Sequence, residues 1–464
     1  MAIKPTILVL FGVTGDLAKR KILPALFALH KEKLLPPMFQ VVGISRRNRT
    51  EAEMEREIRA ALPRGSENIK KQFVKKFKYL SGDARKKETF LRIGEAIGRK
   101  DGKWISCANR LFYLSVPPSA FSVLFRNIEA TGLSSRCSID GDYSRILVEK
   151  PFGKDLATAQ KLDAMMARFF REEQIFRVDH YLSKDTLQNV LTFRFSNTIF
   201  EPLWNNKYID RIQITLKENL DIEGRGEFYD DIGAIRDVGQ NHMLQMLALI
   251  TMERPRELKD EHIRRNRAKI LQNIAQPNQR SMKEFVRGQY QGYKSTPGVK
   301  RGSKTETYFR NCIYINSPKW KGVPIVLESG KALDEKRTEI VVTFKNPPSC
   351  FCDNPKEFNH PFHNKLVFNV QPEEGITVNF AAKKPGLFST IEPRMLSFMY
   401  HEDSTHTLDE YSKVIYDAIL GDQTLFASSE EVLASWKYIT PLIKRARRIK
   451  LYPYKRGSST ITNK

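Results

Sequence analysis

Six consecutive residues, Asp179 to Lys184 within Arg177-Val178-Asp179-His180-Tyr181-Leu182-Ser183-Lys184, gather a carboxylate, an imidazole, a phenol and an ammonium. A phosphate monoester carries close to two negative charges and needs several cationic or hydroxyl donors. His180, Tyr181 and Lys184 are donors of those kinds, and a helix beginning near Lys184 would add the positive end of its dipole. Asp179 is left to orient a base elsewhere. Arg236-Asp237-Val238-Gly239-Gln240-Asn241-His242 supplies a candidate, because an unperturbed imidazole titrates near neutral pH.

A second group points to a nucleotide. Gly12-Val13-Thr14-Gly15-Asp16-Leu17-Ala18 lies where an apolar run gives way to a helical pattern. Glycine there permits close approach of a pyrophosphate, and the helix N-terminus offers unpaired N–H donors. Gly12, Thr14, Gly15, Asp16 and Leu17 are therefore the cofactor-binding candidates, although Leu10 stands where a full GxGxxG pattern has its first glycine. NAD-preferring sites usually carry an acid at the end of the second strand to bind the ribose 2′-hydroxyl. This chain has Ser45-Arg46-Arg47 instead, guanidinium groups suited to a 2′-phosphate. The expected cofactor is NADP.

These groups need elements to hold them. Thr6–Phe11 is a continuous apolar run, as in a parallel strand buried on both faces. A helix over 17–31, a strand at 39–44, a helix over 51–61, and strands at 111–115 and 145–149 follow. Alternating strands and helices predict an α/β, Rossmann-like, doubly wound parallel sheet over 1–178. Glu149-Lys150-Pro151-Phe152-Gly153 ends the last strand of that run, so Lys150 stands at the sheet's carboxyl edge, where both ligands should meet. Beyond it, helices at 184–195 and 241–251 accompany strands at 208–218, 339–344, 366–370, 376–380 and 395–400. Residues 179–464 thus read as an α+β domain with a large, mainly antiparallel sheet. Residues 260–304 read as a helix followed by an irregular excursion, and 455–464 as a mobile tail.

The composition narrows the function class. With 41% hydrophobic and 28% charged residues and no apolar run long enough for a membrane helix, a soluble globular protein is expected. Five scattered cysteines and an N-terminus that runs straight into a strand fit a reducing cytoplasm. The net charge of +24 is spread along the chain without a zinc-finger, helix-turn-helix or RNA-recognition pattern. A basic surface suited to phosphorylated ligands accounts for it, and no specific nucleic-acid partner is expected.

Together, in this order and spacing, the 12–18, 179–184 and 224–242 segments resemble glucose-6-phosphate dehydrogenases, from about Thr6 to about Lys444. The resemblance implies NADP-linked oxidation of glucose 6-phosphate at C1. It implies His242 as base and Asp179 as its partner, and phosphate binding by His180, Tyr181 and Lys184. Glu218, Asp237, Lys331 and Lys336 match the family's sugar contacts, Arg46 its cofactor arginine, and Lys150 a residue before a cis peptide bond. A homodimer or homotetramer associating through the second sheet is also implied. There are departures: Ser183 replaces a usual glycine, Asp185 a usual glutamate and Glu328 a common arginine. The ending Tyr454-Lys-Arg-Gly-Ser-Ser lacks the longer Gly-Ser-x-Gly-Pro, so no second, structural NADP site is carried over.

Rival readings are a nucleic-acid binder on the same scaffold, a sensor that binds sugar phosphate without turnover, and a zinc site at Cys350, Cys352, His360 and His363. The spacing of that last set fits no common finger, and hydride transfer needs no metal. No metal is expected.

Overall fold

Strand β1 (Thr6–Phe11) is buried at all its positions, which requires cover on both faces. The computed structural model, which describes residues 4–104, 108–134, 144–222, 224–347, 363–387, 391–400 and 408–461, supplies that cover with helices. β2 (Phe39–Ser45) and β4 (Asn109–Leu114) flank β1 in parallel. β3 (Phe77–Ser81) extends the sheet beyond β2, and β5 (Ser144–Val148) and β6 (Ile175–Val178) extend it beyond β4. The order reverses at β1, so the crevice for a ligand opens at the carboxyl ends of β1 and β4.

The sequence reading missed β3 and β6. β3, Phe-Lys-Tyr-Leu-Ser, is mostly half-buried and carries a lysine. In β6 the polar Arg177 is 1% exposed. Asp163 at 2.7 Å and Glu172 at 2.9 Å balance its charge, so a position that reads as surface is interior.

The second sheet has nine strands in the order β14-β13-β12-β11-β7-β10-β9-β8-β16. They are β7 (Ile209–Lys217), β8 (Val286–Tyr290), β9 (Tyr308–Ile313), β10 (Ile325–Gly330), β11 (Arg337–Phe344), β12 (Lys365–Gln371), β13 (Gly375–Lys383), β14 (Ile391–Met399) and β16 (Leu451–Tyr454). All neighbours are antiparallel except β7 with β10 and β8 with β16. Ile212, Ile214 and Leu216 of β7 are buried on one face as their alternation predicts.

Two expectations are corrected. The 260–304 stretch opens with the expected helix, Asp260–Gln272, and ends irregularly over 291–304, but a short helix, Gln279–Lys283, and β8 stand between them. Arg287 and Gln289 disguised β8; both are buried and donate to backbone carbonyls, Arg287 to Ile449 and Gln289 to Thr305. Of the expected mobile tail, the described residues 455–461 are held in place. Ile461 is 6% exposed, within an aromatic cluster that includes Tyr290, Tyr293, Tyr308 and Tyr454.

Two segments from the second half return to the first sheet. β15 (Phe426–Ala427) pairs antiparallel with β6. Helix Glu410–Leu420 packs on helix Leu23–Lys31, where the Ser412 hydroxyl donates to Ala25 O at 3.3 Å.

Candidate active site

The site is built on one long helical segment held at both ends. It opens with a wide, π-type stretch, Ile235–Met243, and continues as the α-helix Leu244–Thr251. A buried helix C-terminus leaves carbonyls without partners. Here Arg194 donates to Leu249 O and Met252 O, and the indoles of Trp204 and Trp320 donate to Ile250 O and Thr251 O. At the other end the Glu306 carboxylate accepts from the amide of Ile235 at 3.2 Å. Gly239 lets the segment pack close to Phe309: a Cβ there would lie 3.0 Å from the ring, which would have to give way by a few tenths of an ångström.

The wide turn matters for geometry. Five residues apart on an α-helix, Asp237 and His242 would point ~140° away from each other. A π-type turn narrows that angle and is characteristic of functional sites. The sequence pattern places the start of this helix at 241, because Gly239 and the polar Arg236, Asp237, Gln240 and Asn241 interrupt any apolar period.

Asp179 follows the end of β6, in a turn closed by Leu182 N–H to Asp179 O at 3.0 Å and Lys184 N–H to Tyr181 O at 3.0 Å. Its Oδ1 lies 2.5 Å from His242 Nδ1 and accepts from the Tyr181 amide at 3.1 Å. Both side chains are buried, at 4% and 2% exposure. Burial alone would raise the Asp179 pKa, but the His242 imidazole holds it below the ordinary carboxylate value. Burial lowers the pKa of His242, with Asp179 opposing. A neutral imidazole whose Nδ1–H faces a carboxylate presents Nε2 as a proton acceptor.

Around the dyad, the Tyr181 ring stacks on His242 with centroids 4.2 Å apart, and the His180 ring stands edge-on to it at 4.8 Å. Burial and the neighbouring His242 lower the His180 pKa to about 3. Lys150, whose bond to Pro151 is cis, donates to Asp237 O at 2.9 Å and faces its carboxylate at 3.5 Å. Lys331 pairs with Glu218 and lies 3.4 Å from the other Asp237 oxygen. Lys150, Asp179, His180, Tyr181, Glu218, Asp237, His242 and Lys331 therefore converge.

Two expected contacts are arranged differently. Lys184 is buried and directs its ammonium at Glu410, 2.6 Å, and Glu374, 3.5 Å. Lys336 is exposed and makes no hydrogen bond or ion pair among the described residues.

At the nucleotide turn, Gly12 has φ +83°, and a Cβ there would sit 2.5 Å from Ser115 O, so only glycine fits between β1 and β4. Thr14 and Ser45 hydroxyls meet at 2.8 Å and tie the turn to β2. Helix formation begins at Asp16, whose exposed carboxylate lies 3.7 Å from Arg20, and Leu17 packs on the core. Arg46 and Arg47 are exposed at the end of β2.

The sequence reading passed over four nearby residues. Tyr411 lies parallel to the His180 ring at 5.9 Å, some 230 positions away along the chain, and no local pattern marks it. Glu410 beside it engages Lys184. Glu149 accepts from the Tyr113 hydroxyl at 2.6 Å, and burial raises its pKa to about 7. Its adjacency to Lys150 was the available signal for that pair.

Donor atoms of Asp179, His180 and His242 lie within 4.8 Å of one another, close enough to share a cation. Of the proposed zinc set, Cys350, Cys352 and His360 lie outside the described residues, and His363 Nδ1 is 3.3 Å from Phe344 O.

Comparison with known proteins agrees with this geometry. Residues 9–189 match the model of the glucose-6-phosphate dehydrogenase NAD binding domain, and 191–463 that of the C-terminal domain. The chain is 36% identical to glucose-6-phosphate 1-dehydrogenase of Borreliella burgdorferi, over 97% of this chain and 94% of that one. It is 38% identical to the cytoplasmic glucose-6-phosphate 1-dehydrogenase 5 of Arabidopsis thaliana, over 97% and 88%. A solved glucose-6-phosphate dehydrogenase in complex with glucose 6-phosphate superposes with a TM-score of 0.92 at 32% identity, covering 100% of this chain and 97% of that one. The Mycobacterium avium enzyme gives 0.86 at 31%, covering 98% and 94%. With both of its domains matched and relatives of this identity along nearly its whole length, the chain belongs to the glucose-6-phosphate dehydrogenase family.

Proposed function

We propose that this protein oxidises β-D-glucose 6-phosphate at C1 to 6-phospho-D-glucono-1,5-lactone, the entry step of the oxidative pentose phosphate pathway, with NADP as acceptor. The observation that carries the reading is the buried His242–Asp179 pair beside His180 and Tyr181. His242 Nε2 takes the proton of the C1 hydroxyl as the C1–H bond breaks and the C1–O double bond forms. Asp179 keeps the proton on Nδ1 and meets the positive charge that develops on the ring. Tyr181, stacked on His242, restricts the ring's rotation.

His180, Tyr181 and Lys184 hold the phosphate. His180 is neutral before substrate arrives, and a dianion drawn against it favours its protonation. Glu218 and Asp237 accept hydroxyl protons from the sugar, while Lys331 and Lys336 donate to its oxygens. Lys150 lies where sugar and cofactor meet.

The donor set fits a phosphorylated dinucleotide, with exposed guanidinium groups at the end of β2 and a glycine turn opening onto a helix N-terminus. Gly12, Thr14, Gly15, Asp16, Leu17, Arg46 and Lys150 would hold NADP, which when bound supplies the hydride acceptor.

We take 1–178 and 179–464 as the two domains, tied together by β15 and helix Glu410–Leu420. A homodimer or homotetramer through the second sheet would cover Met395, Leu396 and Phe398, which are 63%, 64% and 44% exposed on the edge strand β14. No helix among the described residues is long and apolar enough to cross a membrane. A cytoplasmic location, without a nucleic-acid or membrane partner, completes the reading.

The test is reduced-nicotinamide absorbance on mixing the purified protein with glucose 6-phosphate and NADP, then NAD. Fast reduction of NADP and slower reduction of NAD is the expected result. No reduction by a folded protein that binds both ligands would favour the sensor reading.

A further inference from the structure

Lys331 is held from several sides, and its own N–H donates to Thr307 O at 2.9 Å. It begins a loop that runs from the end of β10 to the start of β11, and Ala332 within it has φ +53°, a left-handed conformation unusual for a residue with a Cβ. Such a conformation persists only where its surroundings enforce it. On one side β7 and its extension do so: Ala332 N–H donates to Leu220 O at 2.9 Å and Leu333 N–H to Glu218 O at 3.0 Å.

On the other side the enforcement comes from the end of the chain. The Tyr454 hydroxyl donates to Lys331 O at 2.7 Å, and Gly457 N–H to Ala332 O at 2.9 Å. Asp334 N–H donates to Ser458 O at 3.2 Å, and Leu333 and Ser458 form a parallel β-bridge. Lys217, 6% exposed, ties the two sides together. Its ammonium donates to Ser459 O at 2.6 Å and lies 3.5 Å from Glu335 and 3.8 Å from Asp334. The Thr460 hydroxyl then donates to Glu328 at 3.1 Å, on the same carboxylate oxygen that accepts from Tyr308 at 3.0 Å.

We infer that the segment Tyr454–Ile461, locked by Lys217 and by the Thr460–Glu328 bond, is a strap that positions Lys331 for the sugar. Lys217 and Thr460 are positioning residues, acting through the 331–335 loop. Glu328, which stands where the resemblance implies an arginine, is a partner in this arrangement. The aromatic cluster beneath, closed by Ile461, gives the strap an apolar base. The inference rests on Lys331 being a substrate contact, and the experiment separates the two.

Four chains are compared with the wild type by steady-state kinetics and thermal unfolding: one ending at Arg456, Lys217→Met, Lys217→Arg and Lys331→Ala. The strap predicts a KM for glucose 6-phosphate about tenfold higher in the first two, with KM for NADP within twofold of wild type and recovery in Lys217→Arg. If Lys331→Ala raises that KM and the shortened and Lys217→Met chains do not, the strap is overturned while the substrate site stands. If the KM for NADP rises in step with that for glucose 6-phosphate and the melting point falls, the segment serves stability alone and the strap is equally overturned. If Lys331→Ala has no effect, the substrate assignment falls and the strap with it.

Discussion

Replacing Asp179 by asparagine keeps the side chain's shape and removes its charge. The carboxylate is 2.5 Å from His242 Nδ1, and with 4% and 2% exposure little water screens the pair. Once the imidazole is protonated, charge centres about 4 Å apart at an effective dielectric constant near 20 attract by about 4 kcal/mol. Because this attraction exists only after proton transfer, its loss falls on the barrier and lowers kcat by about a thousandfold. Asp179 Oδ2 has no hydrogen-bond partner among the described residues. An asparagine NH2 in its place would be an unpaired buried donor costing about 1–3 kcal/mol of stability. If the amide turned over instead, its NH2 would face Nδ1 and move the imidazole proton to Nε2, which also removes the base. The assay is NADP reduction at saturating substrates, with thermal unfolding alongside. The expected result is the thousandfold loss in kcat with KM for glucose 6-phosphate within a few fold. A kcat within tenfold of wild type would show that no imidazolium forms against Asp179.

Other perturbations read other parts of the account. Arg46→Ala removes an exposed guanidinium from the end of β2; a charged hydrogen bond of about 1.5–3 kcal/mol predicts KM for NADP about ten- to a hundredfold higher, with KM for NAD unmoved. Glu410→Gln frees Lys184 from its nearest carboxylate and should lower KM for glucose 6-phosphate several-fold; a rise would mean that Glu410 orients Lys184. Glu149, raised by burial from 4.5 to about 7, holds a proton in the folded chain that the unfolded chain releases. Its contribution to stability is full below about pH 4.5 and lost as pH rises through about 7. Glu149→Gln stays neutral and should gain up to about 3 kcal/mol over wild type between pH 5 and 8 in urea unfolding; a pH-independent difference would contradict the shift.

What the sequence made legible follows from where the signals are local. β1 and β7 announce themselves by continuous or alternating apolar residues, and the glycine turn is marked by its place between strand and helix. The groups between Asp179 and Lys184 are adjacent in sequence, so their meeting needed only the turn that the amide bonds close. Elements whose polar side chains are satisfied over long distances were hidden. Arg177 in β6 and Arg287 in β8 look like surface residues until Asp163, Glu172 and Ile449 are in view. Tyr411 and Glu410 reach the site only because their helix folds back onto the nucleotide half. The π-type turn under Asp237 and His242 leaves no apolar period to detect, and the strap rests on backbone bonds that side-chain patterns do not encode.

Catalysis here turns on His242 taking the C1 hydroxyl proton. The most direct measurement is kcat for NADP reduction by His242→Asn at saturating glucose 6-phosphate and NADP, with binding of both ligands measured separately. With His242 as the base, binding stays intact and kcat falls by at least about a thousandfold. A variant that binds both ligands and keeps a kcat within tenfold of wild type would show that another group removes the proton.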